Sequence, residues 1–265
     1  MAKMLSISRG CGVLALTAVS LGACGWFGSK DENATYVEQP VDVLYNRALD
    51  DLGAQDYKHA AKEFEEVDRQ HPYSVWATKA EIMAAFTYYE SNKYDDAIIA
   101  LDRFIQLHPG HKDIPYAYYL KAVCYYEQIS DVGRDQLITQ KALDALSDIA
   151  KRFPDTPYAR DARLKVELAI DHLAGKEMDI GRYYQKKEQY IGAINRYRTV
   201  IERFQTTTHV PEALHRLVEC YLALGVKSEA KEAAAVLGFN FPGSDWYADS
   251  YYLMTGEDYR FGENK

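Results

Sequence analysis

Five copies of one small-residue frame constrain this chain more than any other feature. The stretch "DYKHAAKEFEEVDRQHP" places Tyr57, Ala60, Phe64 and Pro72, and "KYDDAIIALDRFIQLHP" repeats them as Tyr94, Ala97, Leu101 and Pro109, every offset being 37 residues. The frame returns as Ala142, Leu146 and Pro154 in "KALDALSDIAKRFP", as Tyr190, Ala193 and Tyr197 in "QYIGAINRYRTVIERF", and as Ala230, Ala234 and Pro242 in "SEAKEAAAVLGFNFP". A period of this length marks stacked supersecondary units, each unable to bury its apolar face alone. The frame suits two antiparallel helices per unit. The small residue lets the helices close up, the larger one fills the next gap, and proline ends the second helix.

The pattern resembles the tetratricopeptide repeat, with its small, aromatic and proline positions in that order. The first helices match it less closely. "KAEIMAAFTYYESNKY" has Ala84, Ala85 and Tyr88 in place, whereas "DVLYNRALDDLGAQDY" keeps Ala48 but has Asp51 at the usual tyrosine. The expected fold is all-α: a tetratricopeptide-repeat-like solenoid of five helix pairs over residues 41–242. A C-terminal capping segment, 243–265, carries Trp246, Tyr247, Tyr251, Tyr252 and Leu253 at helical spacing. Such a helix covers the last open face of the stack.

Two departures stand out. Pro109 and Pro154 are 45 residues apart, and the extra material, "QISDVGRDQLITQ", lies between the helices of the third repeat. Longer solenoid loops fall on one face, where they bind a partner or simply pack. In the fourth repeat some 35 residues from Thr156 to Tyr190 hold no proline after Pro157, and Gln205 stands at the proline position. One long helix, straight or bent near Gly175, fits that stretch better than two short ones.

The chain opens "MAKMLSISRGCGVLALTAVSLGAC", with Lys3 and Arg9 before a short apolar run and small residues after it. This is the layout of a secretory signal peptide, and the run falls short of the roughly 20 residues a bilayer span needs. Leu21, Gly22, Ala23 and Cys24 resemble the bacterial lipobox. That resemblance implies a lipoprotein signal at 1–23, cleavage before Cys24, and N-acyl and S-diacylglycerol groups on Cys24. An ordinary signal cut after Ala23 would instead leave a spare cysteine. Gly25 following the cysteine, rather than aspartate, favours the outer membrane. Residues 24–40, polar and ending in Pro40, read as a lipidated N-terminus and tether.

Composition narrows the function. Loss of Lys3 and Arg9 with the signal takes the formal charge from −8 to −10, which does not suit nucleic acid, whose affinity rests on Lys and Arg. No nucleophile motif, zincin motif or P-loop occurs, so neither a catalytic set nor a metal site is expected. "HPGH" from His108 to His111 lies in an inter-repeat turn. His71 stands at the same place one repeat earlier, so these histidines read as helix-end residues. Cys124 and Cys220 sit inside helical patterns as buried thiols. No cofactor is expected beyond the covalent lipid.

The chain carries 22 tyrosines against 9 phenylalanines and 3 tryptophans, an excess suited to half-wet positions and partner surfaces. Several form doublets, including Tyr88–Tyr89 and Tyr118–Tyr119. Helix neighbours differ by about 100°, so one ring packs between helices while the other faces a groove or solvent. Tyr88, Tyr89 and Tyr118 are the candidates for a substrate-peptide groove in the first three repeats.

"HPYSVWA", "FPDTPYA", the "QISDVGRDQ" insertion and "YYQKKEQYIGAINRYRTVIERF" together resemble the BamD family of outer membrane assembly lipoproteins, also called ComL or YfiO. The likeness covers essentially the whole mature chain. It implies a non-enzymatic scaffold on the periplasmic face of the outer membrane of a Gram-negative bacterium. The implied partners are a BamA-like barrel protein with POTRA domains, other lipoproteins of the barrel-assembly (BAM) machinery, and unfolded outer membrane proteins. Arg196 in "AINRYRTVI" matches a basic family residue that contacts the barrel component, and Arg198 stands beside it as a second cation. The alternative is a tetratricopeptide lipoprotein that coordinates cell-wall synthesis or envelope division. Mass spectrometry of the mature N-terminus is expected to find diacylglycerol on Cys24; an unmodified thiol would remove the anchor.

Overall fold

A computed structural model describes residues 38–257. The signal segment, Cys24 and most of the tether lie outside them, as do the last residues of the expected capping segment. The helices fall into five consecutive pairs: α1 (Val41–Gly53) with α2 (Tyr57–Gln70), α3 (Val75–Glu90) with α4 (Tyr94–Leu107), α5 (Ile114–Glu127) with α6 (Leu137–Arg152), α7 (Pro157–Lys186) with α8 (Tyr190–Arg203), and α9 (Val210–Ala223) with α10 (Lys227–Asn240). A last helix, α11 (Asp245–Thr255), packs on α9 and α10. The all-α, five-pair expectation with its C-terminal cap describes this arrangement.

The repeat frame is the packing core. Ala60, Ala97, Ala142, Ala193 and Ala230 are all fully buried, and so are Phe64, Leu101, Leu146 and Tyr197 four residues on. In the fifth pair the filling residue is only Ala234, and α11 brings Tyr247 against Gly238. A Cβ on Gly238 would lie 2.4 Å from the Tyr247 ring. Gly181 and Tyr197 repeat that arrangement between α7 and α8, with 2.5 Å from such a Cβ to Tyr197 Cε1.

The turns repeat as faithfully as the helices. His71, His108, Phe153, Phe204 and Phe241 end the second helices with φ between −126° and −135° and ψ between 45° and 55°. Proline follows four of them and disfavours helix in the residue before it. Phe204, followed by Gln205, adopts the same conformation, so packing sustains the turn without it. Within pairs the connection turns through a left-handed residue two places before the second helix: Gln55, Asn92, Glu188 and Gly225, with φ from 58° to 77°. Asp56, Ser74, Thr156 and Ser244 cap α2, α3, α7 and α11 by accepting a backbone N–H.

The two departures have separate structural outcomes. α7 runs unbroken for 30 residues against 16 in α3. The 14 extra residues equal the excess of the Ala142–Ala193 spacing, 51, over 37. Fourteen residues make nearly four helical turns, so the added length returns the chain to almost the same face. The front of α7 places Ala162 and Val166 against Leu146 and Ile149; the rear places Ala174 and Met178 against Ala193 and Val218. The connection before α6, residues 128–136, packs on the middle of this helix. Lys176 Nζ donates to the Gly133 carbonyl at 2.8 Å, and a Cβ on Gly175 would lie 3.4 Å from Val132 Cγ1. Gly175 therefore receives the loop and leaves the helix unbroken.

These observations predict opposite effects for two substitutions at glycine-like positions. Gly181→Ala should cost about 1–3 kcal/mol by driving a methyl into Tyr197, whereas Glu188→Gly should stabilise by about 0.5–1 kcal/mol by relieving a left-handed Glu. Denaturant midpoints of the two variants check this.

Candidate binding surfaces

The first helices α1, α3, α5 and α7 contact one another in order, and their face carries a succession of rings. Tyr45 lies 4.8 Å from Trp76. Farther along, Tyr89 contacts Phe86 at 6.4 Å and Tyr94 at 6.0 Å. Tyr158 contacts Tyr116 at 5.7 Å and stacks on Tyr119 at 5.1 Å. Each ring of the row is partly exposed. Tyr119 donates to Asp161 Oδ2 at 2.6 Å. Burial pushes the Tyr116 hydroxyl up to about 12, and burial followed by the Asp161 bond raises that of Tyr119. These phenols stay neutral at ordinary pH.

The doublets divide as helix geometry requires. Tyr89 and Tyr119 join the row, while Tyr88 reaches α2 and Tyr118 the end of α6. Tyr88 donates to Glu65 on α2, and burial with that bond raises its pKa. Tyr118 packs on Phe153 at 5.6 Å under the Arg152 guanidinium, 4.4 Å from the ring. Of the three tyrosines expected on a groove, the structure places only Tyr89 in the row. It adds Tyr45, Trp76, Tyr116, Tyr119 and Tyr158, which sequence spacing alone does not single out because their contacts cross between helices.

The C-terminal pairs carry a charged network. Arg182 on α7 donates twice to Glu212 on α9, at 3.0 and 2.7 Å. Arg216 reaches Glu219 at 2.8 Å, and Gln185 joins Glu219 to the buried Tyr197 hydroxyl through bonds of 2.9 and 2.8 Å. Buried His215 contacts Ser250 of α11 at 2.8 Å and lies 5.3 Å from the Trp246 ring. Burial alone would raise the Glu219 pKa, but bonds from His215, Arg216 and Gln185 outweigh it and hold the carboxyl down at about 2. The network joins α7, α8, α9 and α11 into one block.

Arg196 and Arg198 do not form one cationic pair. Two residues on a helix differ by about 200°, so they leave α8 on opposite sides. Arg196 Nη1 pairs with Glu177 Oε2 of α7 at 3.1 Å. Arg198 borders a 210 Å³ cleft with Ile201, Leu214, Leu217, Tyr221 and Val236, and its charge reaches Glu229. The histidines of "HPGH" serve helix ends: His108 Nε2 lies 2.9 Å from Glu81. Among the described residues no group of three or more His, Cys, Asp or Glu side chains could hold a metal. Cys124 and Cys220 are buried free thiols, each pushed up to about 12 by burial.

The family profile YfiO, described as an outer membrane lipoprotein, matches residues 37–237. A protein of Caulobacter vibrioides named "Outer membrane protein assembly factor BamD" is 48% identical over 260 residues, covering 97% of this chain and 85% of the relative. Proteins with the same name are 45% identical in Rickettsia prowazekii, over 91% of this chain and 95% of the relative, and 32% identical in Neisseria meningitidis serogroup A, over 89% and 94%. Among solved structures, the TPR2AB domain of yeast Sti1 is similar at a TM-score of 0.43 and 14% identity, over 81% of this chain and 82% of that one.

The Glu219 network carries a pH signature. A carboxyl held near 2 in the folded state and near 4.5 in the unfolded one contributes stability that is complete above about pH 5 and lost as pH falls toward 2. Glu219→Gln should cost roughly 2–3 kcal/mol at neutral pH and flatten the stability profile between pH 5 and 2. An acid profile as steep as the wild type would place the titration elsewhere.

Proposed function

The chain belongs to the YfiO family of outer membrane lipoproteins, and on that footing we propose that it is a lipid-anchored scaffold of barrel-protein assembly on the periplasmic face of the outer membrane. The observation that carries this reading is the 48% identity to an outer membrane protein assembly factor across 97% of the chain. The stack supports it: helix pairs offer long side-chain surfaces and are a common platform for holding partners. No helix among the described residues is long and apolar enough to cross a membrane, so Cys24 with its acyl groups supplies the attachment in this reading.

The two surfaces divide the work. The aromatic row, from Tyr45 in the first repeat to Tyr158 in the fourth, receives extended segments of unfolded outer membrane proteins, whose aromatic side chains pack on partly exposed rings. The C-terminal pairs, stiffened by the Arg182–Glu212 and Gln185–Glu219 links, present Arg196 on one side of α8 and Arg198 on the other to the POTRA region of a BamA-like barrel protein. Arg196 exchanges its half-buried pair with Glu177 for a partner carboxylate. Other lipoproteins of the machinery complete the complex.

Pull-down of the full chain from detergent-solubilised outer membrane is expected to recover a barrel protein with POTRA domains, less of it with Arg196→Glu at unchanged helicity. Tyr89→Ala should weaken an aromatic-rich peptide without touching that recovery. Murein synthases in place of the barrel protein would support the cell-wall adaptor instead, and undiminished recovery with Arg196→Glu would remove that residue from the interface.

A further inference from the structure

The point where the tether meets the fold is fixed. Gln39 donates its backbone N–H to Gln70 Oε1 at 2.8 Å, its carbonyl meets His71 Nε2 at 2.7 Å, and its side-chain oxygen accepts from Arg47 at 2.8 Å. The chain arriving from Cys24 is therefore bolted to the end of α2, one residue before Pro72 opens the next turn. That turn displays Tyr73, 102% exposed, and Val75, 75% exposed. No other large apolar side chain among the described residues is as open as Tyr73. Ser74 between them caps α3 by accepting the Trp76 N–H at 3.1 Å, so the two side chains are held outward on a rigid cap. Trp76 lies just inside with Lys79 Nζ 5.2 Å from its ring.

A tyrosine beside an aliphatic residue, with a lysine close by, is what the headgroup layer of a bilayer accepts. Distance argues for the same occupant. Gln39 stands fifteen positions after Cys24, and a coil of that length has a root-mean-square reach of about 20 Å. An acyl anchor at one end thus holds the 73–75 turn at millimolar-scale effective concentration against the lipid surface, where a weak contact suffices.

We infer that the Tyr73–Val75 turn is a second membrane contact, seated in the phospholipid headgroup layer beside the lipid tether, and that it sets the orientation of the first repeat against the bilayer. This inference rests on the lipid-anchor reading of Cys24. Two attachments a short tether apart restrict tumbling in a way that one anchor does not, so the aromatic row is held at a defined height above the lipid surface.

The test uses the full acylated chain on vesicles of phosphatidylethanolamine and phosphatidylglycerol. Tyr73→Cys takes a nitroxide label selectively, because Cys124 and Cys220 are buried with thiols pushed up to about 12 and Cys24 is occupied as a thioether. Phe239→Cys on α10, at a residue 85% exposed, is the control, and both sites are open enough to leave the melting curve unchanged. The label at 73 is expected to gain collisions with oxygen and lose collisions with a water-soluble nickel chelate several-fold relative to the label at 239. Equal access at the two sites on chain that floats with the vesicles would overturn the contact while leaving the anchor standing. Chain that fails to float refutes the anchor reading and this inference with it. Shielding at 73 that develops only when outer membrane extract is added would give the turn to a protein partner and contradict the lipid assignment.

Discussion

Everything in this structure depends on an alanine buried completely within the helix packing, once per repeat. Ala60, Ala97, Ala142, Ala193 and Ala230 have no exposed surface, and each lets its pair close far enough for the residue four places on to fill the next gap. The interaction is nearest-neighbour in character, so stability accumulates pair by pair along the stack. An end remains at each terminus. At the C-terminus α11 covers it, with Tyr247 on Gly238 doing for the last pair what Tyr197 on Gly181 does for the fourth. At the N-terminus Gln39 ties the incoming chain to Gln70, His71 and Arg47.

α7 is where the nearest-neighbour rule is modified. Its front half belongs to the cluster around Leu146 and Ile149, its rear half to the cluster around Val200 and Val218, and one uninterrupted helix carries both. A disturbance in the C-terminal pairs thus has a continuous rigid element through which to reach the third repeat. The inserted loop at 128–136 lies on that element, at Gly175 and Lys176. A scaffold that holds an unfolded segment near one end and an assembly partner near the other gains from such an element, because the two are kept at a fixed separation.

The fold was largely legible before any coordinates, since its cause is periodic. The Ala–large–Pro frame gave the pair boundaries, and the lack of proline after Pro157 gave the long helix. What was not legible is what depends on direction. Tyr88 and Tyr89 are neighbours in sequence, yet one donates to Glu65 of α2 and the other joins Phe86 and Tyr94; sequence says that the two rings diverge without saying which way each turns. Arg196 and Arg198 read as a pair and leave α8 on opposite sides. The Arg182–Glu212 link joins residues 30 apart on two different helices, a pairing that no local pattern announces. Left-handed Gln55 and Glu188 carry no sequence signal, although glycine at Gly225 and asparagine at Asn92 mark the same turn.

Whether this scaffold serves the insertion of barrel proteins is tested most directly by depletion of the chain in cells. Folded barrel proteins migrate differently from unfolded ones on unheated gels, so the folded fraction can be followed as the chain disappears. This fraction is expected to fall in newly made barrel proteins before cell-wall incorporation changes. A constant folded fraction, with cell-wall incorporation failing first, would contradict that role.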